Sequence, residues 1–534
     1  MASLCVPSTF TNPDLFGAHI LSIKANLVTN FSQTVPALYW YNHPTTTVTD
    51  VTFCNVTVSY THPGEGDYIN VEVWLPVDTW NERVQAGGGG GWVAGGSNFI
   101  LSFLEMAGAV GTGYATYTTD AGLGGSTDAT PWALLSPGNV NLYNLQNLAS
   151  VSLHDEAIIG KSIIKDFYGR PPKYSYFSGC SQGGRQGLLL AQRYPKLYDG
   201  IAASAPAINW NAFFVTIFWP QLVMNIARQY PHPCELDEIT TAAVAACDHL
   251  DGINDGLVTN VKACNFDPFR LVGTTFSCSM TGTDMQISQI AAAVTSAFWT
   301  GPRSVNGSFL WYGPNIGSSL TGSTTVGNQA PVVTTCSDDG KCIGVPDTLG
   351  TQWISYFVEK DPDFNFANMT HEQFDDIFRS GFEFSSIIDT TDPDLSEFKA
   401  AGGKILGFHG LVRSFLPCHM FKADIFQADE LIPTRGTEHY YDQVTELDPN
   451  VHEFYRFFEA PGIQHCSGGN GGQPTTVFDA LVAWVENGTA PNTLPVSFVS
   501  ANGTIFNQIL CPYPETAFYD GVGSPTDASS YRCI

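Results

Sequence analysis

Alternation of hydrophobic and polar positions predicts the first strands of the chain. Residues 51–58 and 69–75 alternate with the period of two that half-buried strands show. The Pro- and Gly-containing residues 63–67 between them indicate a hairpin turn. The later apolar run at residues 110–116 is interpreted as a buried strand. A sheet is therefore expected to begin near the N-terminus.

Helical spacing follows and alternates with short strands. Residues 154–167 place several isoleucines on one side of a predicted helix. A strand at 174–177, a Gly-rich turn and a helix at about 184–193 indicate a βαβ unit in a mostly parallel sheet. The sheet pattern resumes at 403–410, and a final helix fits 475–487. The pattern as a whole predicts an α/β fold.

The stretch between these sheet segments has a different character. From Pro206 to about Thr390, Gly-, Ser- and Thr-rich loops mix with aromatic helical patches, and strand-like runs are scarce. A chain of 534 residues is also too long for one simple core. We expect a catalytic domain built from residues 1–206 and 391–534, with residues 207–390 inserted as a large lid domain.

A nucleophile motif lies between the strand at 174–177 and the helix that follows it. The sequence Gly179-Cys180-Ser181-Gln182-Gly183 matches G-x-S-x-G. In such a turn the glycines let neighbouring backbone pass closely, and the serine projects above the sheet beside a helix N-terminus. Because the required strand and helix flank the motif, Ser181 is predicted to be the nucleophile of an α/β-hydrolase fold.

The other parts of such a site are expected at defined places along the chain. A Gly-rich run at 87–91 follows an early strand and suits an oxyanion hole, with the N–H groups of Gly89, Gly90 and Gln182 as donors. The alternative for this run is a flexible loop. Acid and base follow the serine in the order Asp or Glu, then His. Among twelve histidines, His465 stands in a loop before the last helix, where the base belongs.

Charge and cysteine content narrow the partners and the compartment. The chain carries 50 acidic and 23 basic residues, a formal charge of −27 that disfavours nucleic acid and anionic membranes as partners. No apolar run is long enough to cross a bilayer. Thirteen cysteines and several N-glycosylation sequons indicate a secreted, extracellular protein, and we infer that Met1 replaced a removed signal peptide. The sequons begin at Asn30, Asn55, Asn306, Asn368, Asn487 and Asn502.

These motifs resemble the fungal tannase and feruloyl esterase family. Cys180-Ser181 and His465-Cys466 match the Cys-Ser and His-Cys pairs of that family, and the likeness covers nearly the whole chain. The resemblance implies a serine carboxylesterase acting on small gallic or hydroxycinnamic (ferulic) esters from plant polyphenols or cell walls. It also implies a Cys180–Cys466 disulfide, for which free thiols or a metal pair are the alternatives. Family-like spacing implies the pairs Cys247–Cys264, Cys336–Cys342 and Cys511–Cys533, which leaves Cys5–Cys54 and Cys234–Cys278.

The catalytic acid departs from the family pattern. The family places its Asp shortly after a His-Gly pair, whereas residues 412–427 here separate His409-Gly410-Leu411 from Asp429. Joining Leu411 to Ala428 restores the pattern and leaves an even number of cysteines. Codons for the segment can resemble splice signals, so we hypothesise a translated, unspliced intron. The following Ile-Pro favours Asp429 as the acid that orients His465, with Asp424 as the alternative.

A segment of the predicted lid is dense in carboxylates and glycines. Calcium is bound by six to eight oxygens from carboxylates and carbonyls, which residues 247–257 supply, although the segment is not an EF-hand. An Asp/Gly turn without an ion is the alternative. The family carries a calcium at this place, so the resemblance implies a structural Ca²⁺ far from the chemistry. Its implied ligands are the side chains of Asp248, Asp251 and Asp255 and the carbonyls of Ile253 and Leu257.

Three other functions stay open at this level. A serine peptidase would use the same triad, a metal-dependent hydrolase would lose turnover in chelator, and a non-catalytic binder would result if residues 412–427 disrupt the triad. The aromatic run at 209–214 either stacks on substrate rings or belongs to the core. Acyl specificity is expected to depend on hydrogen bonds between the lid and hydroxyls of the substrate ring.

Overall fold

A nine-stranded sheet forms the centre of the molecule. The computed structural model describes residues 1–322, 330–337, 340–411, 429–500 and 503–534. The strands of the sheet are β1 His19–Val35, β2 Thr46–Thr61, β3 Ile69–Pro76, β4 Arg83–Gly87, β5 Ala115–Thr119, β6 Tyr174–Cys180, β7 Gly200–Ser204, β8 Lys404–Leu411 and β9 Tyr455–Pro461.

The sheet is antiparallel at one edge and parallel over the rest. Its strand order is β1-β2-β3-β5-β4-β6-β7-β8-β9. The pairs β1–β2, β2–β3 and β3–β5 are antiparallel, and every neighbouring pair from β5 to β9 is parallel. The carboxyl ends of parallel strands meet at one edge of a sheet, so the segments that follow β4, β6, β8 and β9 converge there.

Helices pack on both faces of this sheet. Tyr176 and Phe177 of β6 point to opposite faces and enter different hydrophobic cores. The Phe177 core includes apolar side chains of the helices Ser152–Tyr168 and Gln182–Arg193, and the Tyr176 core includes those of the helix Val477–Asn487. Among the described residues the α-helices are α1 Ile100–Gly111, α2 Leu142–Gln146, α3 Ser152–Tyr168, α4 Gln182–Arg193, α5 Trp210–Ala227, α6 Pro233–Cys247, α7 Gln289–Thr300, α8 Thr348–Gln352, α9 His371–Ser380, α10 Ser385–Ile388, α11 Ser396–Ala400, α12 Thr434–Leu447 and α13 Val477–Asn487.

The predicted insertion, residues 207–390, lies between β7 and β8. In the part of it that the structure describes, helices α5 to α10 and two short hairpins occur, but no strand of the main sheet. Trp92, which follows the Gly-rich loop, stacks on Phe214 at 5.4 Å and on Phe357 at 5.3 Å between ring centroids. All three rings are buried, so the inserted residues are packed against the sheet domain.

Most predicted elements are present, and one is partly wrong. The hairpin is confirmed, because β2 and β3 pair antiparallel with Asn55 opposite Trp74. The predicted helices correspond to α3, α4 and α13, and the later strands correspond to β6 and β8. The strand predicted at 110–116 is wrong in its first half, because α1 extends to Gly111 and β5 begins at Ala115. A short apolar run alone does not distinguish a buried helix end from a strand.

Six disulfides cross-link the chain, and they are the six predicted pairs. Their members are Cys5–Cys54, Cys180–Cys466, Cys234–Cys278, Cys247–Cys264, Cys336–Cys342 and Cys511–Cys533. Within the described ranges, no helix combines the length and the hydropathy that a bilayer span requires.

Candidate active site

Ser181 occupies a sharp turn between β6 and α4. Its φ of 62° lies in the left-handed region, which non-glycine residues adopt only at local cost. Neighbouring glycines permit the turn. A Cβ on Gly179 would lie 2.6 Å from the Gly183 backbone, and a Cβ on Gly183 would lie 3.2 Å from the Gly89 carbonyl oxygen. The turn therefore holds the serine at the N-terminus of α4, at the edge where the loops converge.

A row of hydrogen bonds links this serine to a buried carboxylate. His465 Nε2 lies 2.8 Å from Ser181 Oγ, and His465 Nδ1 lies 2.8 Å from Asp429 Oδ2. The three residues occur along the chain in the order Ser, Asp, His. An imidazole held in this way can remove the hydroxyl proton while the carboxylate stabilises the resulting imidazolium. The structure thus brings the three predicted catalytic residues together.

Asp429 is enclosed by hydrogen-bond donors and is only 1% exposed. Its Oδ1 accepts the N–H groups of Leu431 and Ile432 at 3.1 and 2.8 Å, and its Oδ2 accepts a hydrogen bond from His409 Nε2 at 2.9 Å. Burial disfavours its charge, but the proximity of His465 and the bonds from both histidines outweigh burial and hold the pKa of Asp429 well below its usual value. The group therefore remains a carboxylate whenever His465 can act as a base.

His409 is a second histidine on the same carboxylate, and the sequence analysis gave it no role. Its Nε2 faces two acceptors, Asp429 Oδ2 at 2.9 Å and the Ile432 carbonyl oxygen at 3.0 Å, so Nε2 carries the proton. Its Nδ1 lies 2.9 Å from the Thr437 hydroxyl, which donates to it. These bonds fix one tautomer and one ring orientation. The signal available in the sequence was a histidine within the otherwise apolar run 405–411.

Opposing effects set the basicity of His465. Burial favours its neutral form, but the charge and hydrogen bond of Asp429 outweigh burial, so the pKa of His465 is raised. Glu430 Oε2 accepts the His465 backbone N–H at 3.4 Å. Burial and the nearby Asp429 raise the pKa of Glu430 to about 8. Glu430 is therefore mostly protonated at neutral pH and adds little second negative charge beside the imidazole.

The Cys180–Cys466 disulfide clamps the two loops of the site. Each cysteine is the direct chain neighbour of a site residue, Cys180 of Ser181 and Cys466 of His465. The bond joins positions 286 residues apart, and both cysteines are 3% exposed. Cys466 has a positive φ of 67°, so the histidine loop is sharply bent at the clamp. The relative position of serine and histidine is thus held covalently.

The Gly-rich loop lies beside the nucleophile turn, but two of its N–H groups already have acceptors. Gly89 N–H donates to Gln186 Oε1 at 2.9 Å, and Gly90 N–H donates to the Val93 carbonyl oxygen at 3.1 Å. As oxyanion donors, Gly89 and Gly90 therefore stay predictions, and either N–H would have to leave its present acceptor to serve. The N–H of Gln182 belongs to the first turn of α4, where no intrahelical acceptor exists, and it stays the predicted donor.

A cavity of about 570 Å³ lies over Ser181 and His465. Helix α5 contributes Trp210, Phe213 and Phe214 to its wall, and the same side chains are buried in the core of the inserted region. The aromatic run 209–214 therefore belongs to the core, and it also contributes to the cavity wall, while its stacking on substrate rings stays a prediction. A mainly apolar, aromatic cavity of this size suits a ring-bearing small molecule.

Four of the five predicted calcium ligands, Asp251, Ile253, Asp255 and Leu257, line a second, small cavity of about 30 Å³. Burial, Asp255 and Asp248 raise the pKa of Asp251 to about 7. Carboxylate and carbonyl oxygens are the ligands that a hard divalent cation prefers, but the described residues do not bring the oxygens of Asp248, Asp251 and Asp255 within 4.8 Å of one another, so calcium stays a prediction. In the structure Asp248 Oδ1 accepts the Gly256 N–H at 3.1 Å, which bends the loop back on itself.

One residue of this loop reaches the segment before His465, while the expectation that the ion itself lies far from the chemistry stays a prediction. A Cβ on Gly462 would lie 2.7 Å from Leu257 Cδ2. Leu257 therefore packs directly against the segment that leads from β9 into His465. Gln508 Nε2 also donates to Asp255 Oδ2 at 2.8 Å, which ties the loop to the C-terminal part of the chain. The loop thus connects the inserted region to the histidine loop.

Of the predicted glycosylation sites, four are exposed and one is not suited. The side-chain amide of Asn55 donates to Glu72 at 2.9 Å and its amide oxygen is buried, so its place inside the sheet contradicts glycan attachment. Asn502, Asp424 and the suspected insertion 412–427 lie outside the described residues. The exposed sequon residues are Asn30, Asn306, Asn368 and Asn487.

The strand order, the strained serine turn and the serine–histidine–aspartate row define a serine hydrolase of the α/β-hydrolase fold. A family model described as "Tannase and feruloyl esterase" matches residues 54–534. The chain belongs to the tannase and feruloyl esterase family, and it is a carboxylic ester hydrolase that acts on esters of aromatic acids.

Individual relatives agree with this assignment. The chain is 38% identical over 535 residues to a probable feruloyl esterase of Arthroderma benhamiae, covering 98% of this chain and 92% of that protein. It is 28% identical to a tannase of Aspergillus oryzae, covering 90% and 85% of the two chains. The solved tannin acyl hydrolase from Aspergillus niger has a TM-score of 0.84 at 27% identity, over 100% of this chain and 95% of that one. The comparisons do not favour a peptidase or a non-catalytic binder.

Proposed function

We propose that Ser181, His465 and Asp429 carry out two-step acyl transfer on esters of gallic or hydroxycinnamic acids. His465 Nε2 removes the Ser181 proton, and Oγ attacks the ester carbonyl to form an acyl-enzyme. The protonated imidazole then donates to the departing alcohol. A water activated by the same nitrogen releases the acid and restores the serine. The 2.8 Å contact between His465 Nε2 and Ser181 Oγ is the observation that carries this proposal.

Backbone N–H groups at the nucleophile turn stabilise the negative charge that develops on the carbonyl oxygen of the ester. Gln182 N–H points from the first turn of α4, where the helix dipole favours negative charge. A second donor from the Gly-rich loop requires that either Gly89 or Gly90 release its present acceptor when substrate binds. The loop is therefore expected to adjust during acylation.

The aromatic wall supports an aromatic acyl group. Trp210, Phe213 and Phe214 present ring surface to the cavity, and stacked or edge-on rings attract one another beyond simple burial. Esters derived from plant polyphenols or cell walls supply such rings. The natural substrates are accordingly small phenolic esters.

A structural calcium ion is part of the proposal. The side chains of Asp248, Asp251 and Asp255 and the carbonyls of Ile253 and Leu257 would hold it, and the ion would neutralise repulsion among the carboxylates. Its place beside the His465 loop supports a role in stability.

The compartment is proposed to be extracellular. Six disulfides require an oxidising environment to form and persist, and four exposed sequon asparagines are available to a glycosylation machinery.

The function is tested by turnover on methyl gallate, methyl ferulate and a chromogenic amino-acid anilide. We expect hydrolysis of at least one aromatic methyl ester and none of the anilide. Ser181→Ala should abolish both turnover and labelling by a fluorophosphonate while the melting temperature stays near that of the wild type. Cleavage of the anilide with no aromatic ester hydrolysis would contradict the proposal and favour a peptidase.

A further inference from the structure

We propose that Asp347 is a specificity-determining residue whose carboxylate accepts a hydrogen bond from a ring hydroxyl of the substrate's acyl group. The inference rests on the proposed function and deepens it, because it names the residue that distinguishes phenolic from unsubstituted aromatic acyl groups. No role for this residue follows from the sequence pattern.

Asp347 stands on a segment that borders the catalytic cavity. The hairpin Val333–Cys336 and Cys342–Val345 leads into residues 345–349, and all five of these residues line the cavity with Ser181 and His465. A Cβ on Gly91 of the Gly-rich loop would lie 3.4 Å from Leu349 Cδ2. The segment therefore contacts the loop beside the nucleophile turn, within reach of a bound acyl group.

The Asp347 carboxylate is held rigidly by one of its oxygens. Oδ1 accepts the N–H groups of Leu349 at 2.9 Å and Gly350 at 3.0 Å and so caps α8. Helix α8 is fixed in turn, since a Cβ on Gly350 would lie 2.7 Å from the Phe214 carbonyl oxygen of α5. The orientation of the carboxylate is thus set by backbone that packs on the aromatic wall.

The second oxygen, Oδ2, makes no hydrogen bond to any described residue. Among the described residues that line the cavity there is neither Lys nor Arg. Asp347 is half-buried at the cavity wall, and this burial raises the pKa of its carboxyl group. A carboxylate oxygen without a partner in such surroundings gains from a hydrogen-bond donor that enters the cavity, because leaving a partly buried charge unpaired is costly.

A phenolic hydroxyl is the donor that matches this position chemically. The cavity wall is aromatic, so it orients a ring, and the carboxylate then distinguishes rings by their hydroxyl groups. Anionic ring substituents would be repelled by the same charge. Rings without a hydroxyl would leave Asp347 unpaired and would react more slowly.

The test compares pairs of methyl esters that differ only in ring hydroxyls: methyl 4-hydroxycinnamate with methyl cinnamate, and methyl gallate with methyl benzoate. For the wild type, kcat/KM should favour the hydroxylated member of at least one pair by about ten- to hundredfold, as expected for a hydrogen bond to a charged acceptor. Asp347→Asn keeps a capping oxygen but loses the charge, and Asp347→Ser keeps only the cap. Both should bring the ratio for that pair close to one.

Asp128→Asn is the matched control. Asp128 Oδ1 accepts a hydrogen bond from Gln352 of α8, but Asp128 does not line the cavity. This variant should keep the wild-type ratio. Fluorophosphonate labelling of Ser181 at the wild-type rate shows that each variant is folded.

Three outcomes separate the inference from the function on which it rests. A ratio in Asp347→Asn and Asp347→Ser that matches the wild type overturns the inference. An equal loss on both members of each pair also overturns it, because that result indicates a purely structural cap. Hydrolysis of methyl butyrate with no turnover of any aromatic ester would contradict the proposed function itself.

Discussion

Asp429 receives hydrogen bonds from two histidine rings on one oxygen, and only one of those rings faces the serine. Because both donors draw on the same negative charge, His409 weakens the stabilisation that Asp429 can give to protonated His465. At the same time His409 holds the carboxylate in place through Thr437 and Ile432. His409 does not face Ser181, but through Asp429 it therefore affects both the pKa and the orientation of the His465 imidazole.

Replacement of His409 should separate these two effects. His409→Phe removes the donor, so we expect kcat to fall about 10- to 100-fold through misplacement of the carboxylate. The acidic limb of the kcat/KM profile should also move to higher pH, because an unshared carboxylate charge raises the pKa of His465 further. His409→Gln keeps an amide donor and should retain the wild-type limb. If His409→Phe lowers kcat but leaves the acidic limb of the kcat/KM profile at its wild-type pH, His409 contributes only packing and does not affect the pKa of His465.

The residues that chain order identifies could be predicted, and those that act through distant contacts could not. Ser181 and His465 follow from one motif and a fixed order, and Asp429 follows from the resemblance to the family pattern. His409 reaches Asp429 across 20 residues, and Gln186 occupies the Gly89 N–H across 97 residues. Neither pairing leaves a periodic signal, because each depends on how side chains meet after the sheet has formed.

At the level of elements, the disulfide between the serine turn and the histidine loop should matter more for turnover than for stability. In Cys180→Ala/Cys466→Ala, we expect kcat on a phenolic methyl ester to fall by about two orders of magnitude, because displacement of about 1 Å has that effect. The paired variant Cys5→Ala/Cys54→Ala is the control, since its bond joins β2 to the N-terminal segment. It should lower the melting temperature and leave kcat near the wild-type value. Equal kcat in both variants would contradict a positioning role for the clamp.

The turn between β2 and β3 is tied to α3 by an ion pair that depends on pH. His62 Nδ1 lies 2.6 Å from Asp67 Oδ2, and His62 Nε2 lies 3.1 Å from Asp155 Oδ2. The hydrogen bond to Asp155 and that to Asp67 raise the pKa of His62 to about 9 despite partial burial. The unfolded value is about 6.5, so this contribution is complete below that pH and is lost as pH rises through about 9.

The melting temperatures of wild type and His62→Gln should therefore differ most at pH 6 and least at pH 9.5. We expect a difference of about 1–3 °C at the lower pH, the scale of a partly solvated ion pair in a large domain. His19→Gln, a substitution at an exposed residue of β1, serves as the control and should show no such trend. A difference that grows toward high pH would contradict the assigned charge of His62.

Helices and strands with clear periodicity were predicted, whereas residues 107–116 show the limit of that signal. Ala107, Ala109 and Val110 are fully buried in α1, so their apolar run carries no polar face that would mark a helix. The change to strand occurs at Gly113 and Tyr114, where a positive φ of 85° at the glycine turns the chain. Such a change of direction depends on tertiary packing and not on the local pattern.

At the level of the whole molecule, residues 247–257, which carry the predicted calcium ligands, connect the inserted region to the segment that leads to His465. Addition of a chelator should lower the melting temperature by several degrees, because a ligand bound only to the folded state stabilises it by about 3 kcal/mol at 100-fold excess over Kd. Calcium should restore the wild-type value. Asp251→Asn should melt at the lower temperature with and without chelator. Identical melting curves in chelator and in calcium would contradict the binding of a structural calcium ion.

Deletion of residues 412–427 is expected to leave the catalytic acid in place. Of the described residues on either side of this segment, Asp429 accepts a hydrogen bond from His409, which lies two residues before Leu411. The single residue Ala428 would then bridge Leu411 and Asp429, a span of at most about 7 Å between Cα atoms. We expect the deletion variant to hydrolyse methyl ferulate or methyl gallate with kcat/KM within about threefold of the full chain, because His409, Leu431 and Ile432 already hold the Asp429 carboxylate. A loss of several orders of magnitude would mean that the segment places Asp429.

Strands β7 and β8 are neighbours in the sheet although residues 207–390 stand between them in the chain. The nucleophile turn is consequently synthesised long before His465. Cys180 precedes its disulfide partner Cys466 by 286 residues. Contacts between residues so far apart in the chain slow folding, so we expect the catalytic site to be completed late in folding. A chain that ends before His465 therefore lacks the catalytic base, and ester hydrolysis requires that almost the entire polypeptide has been synthesised and folded.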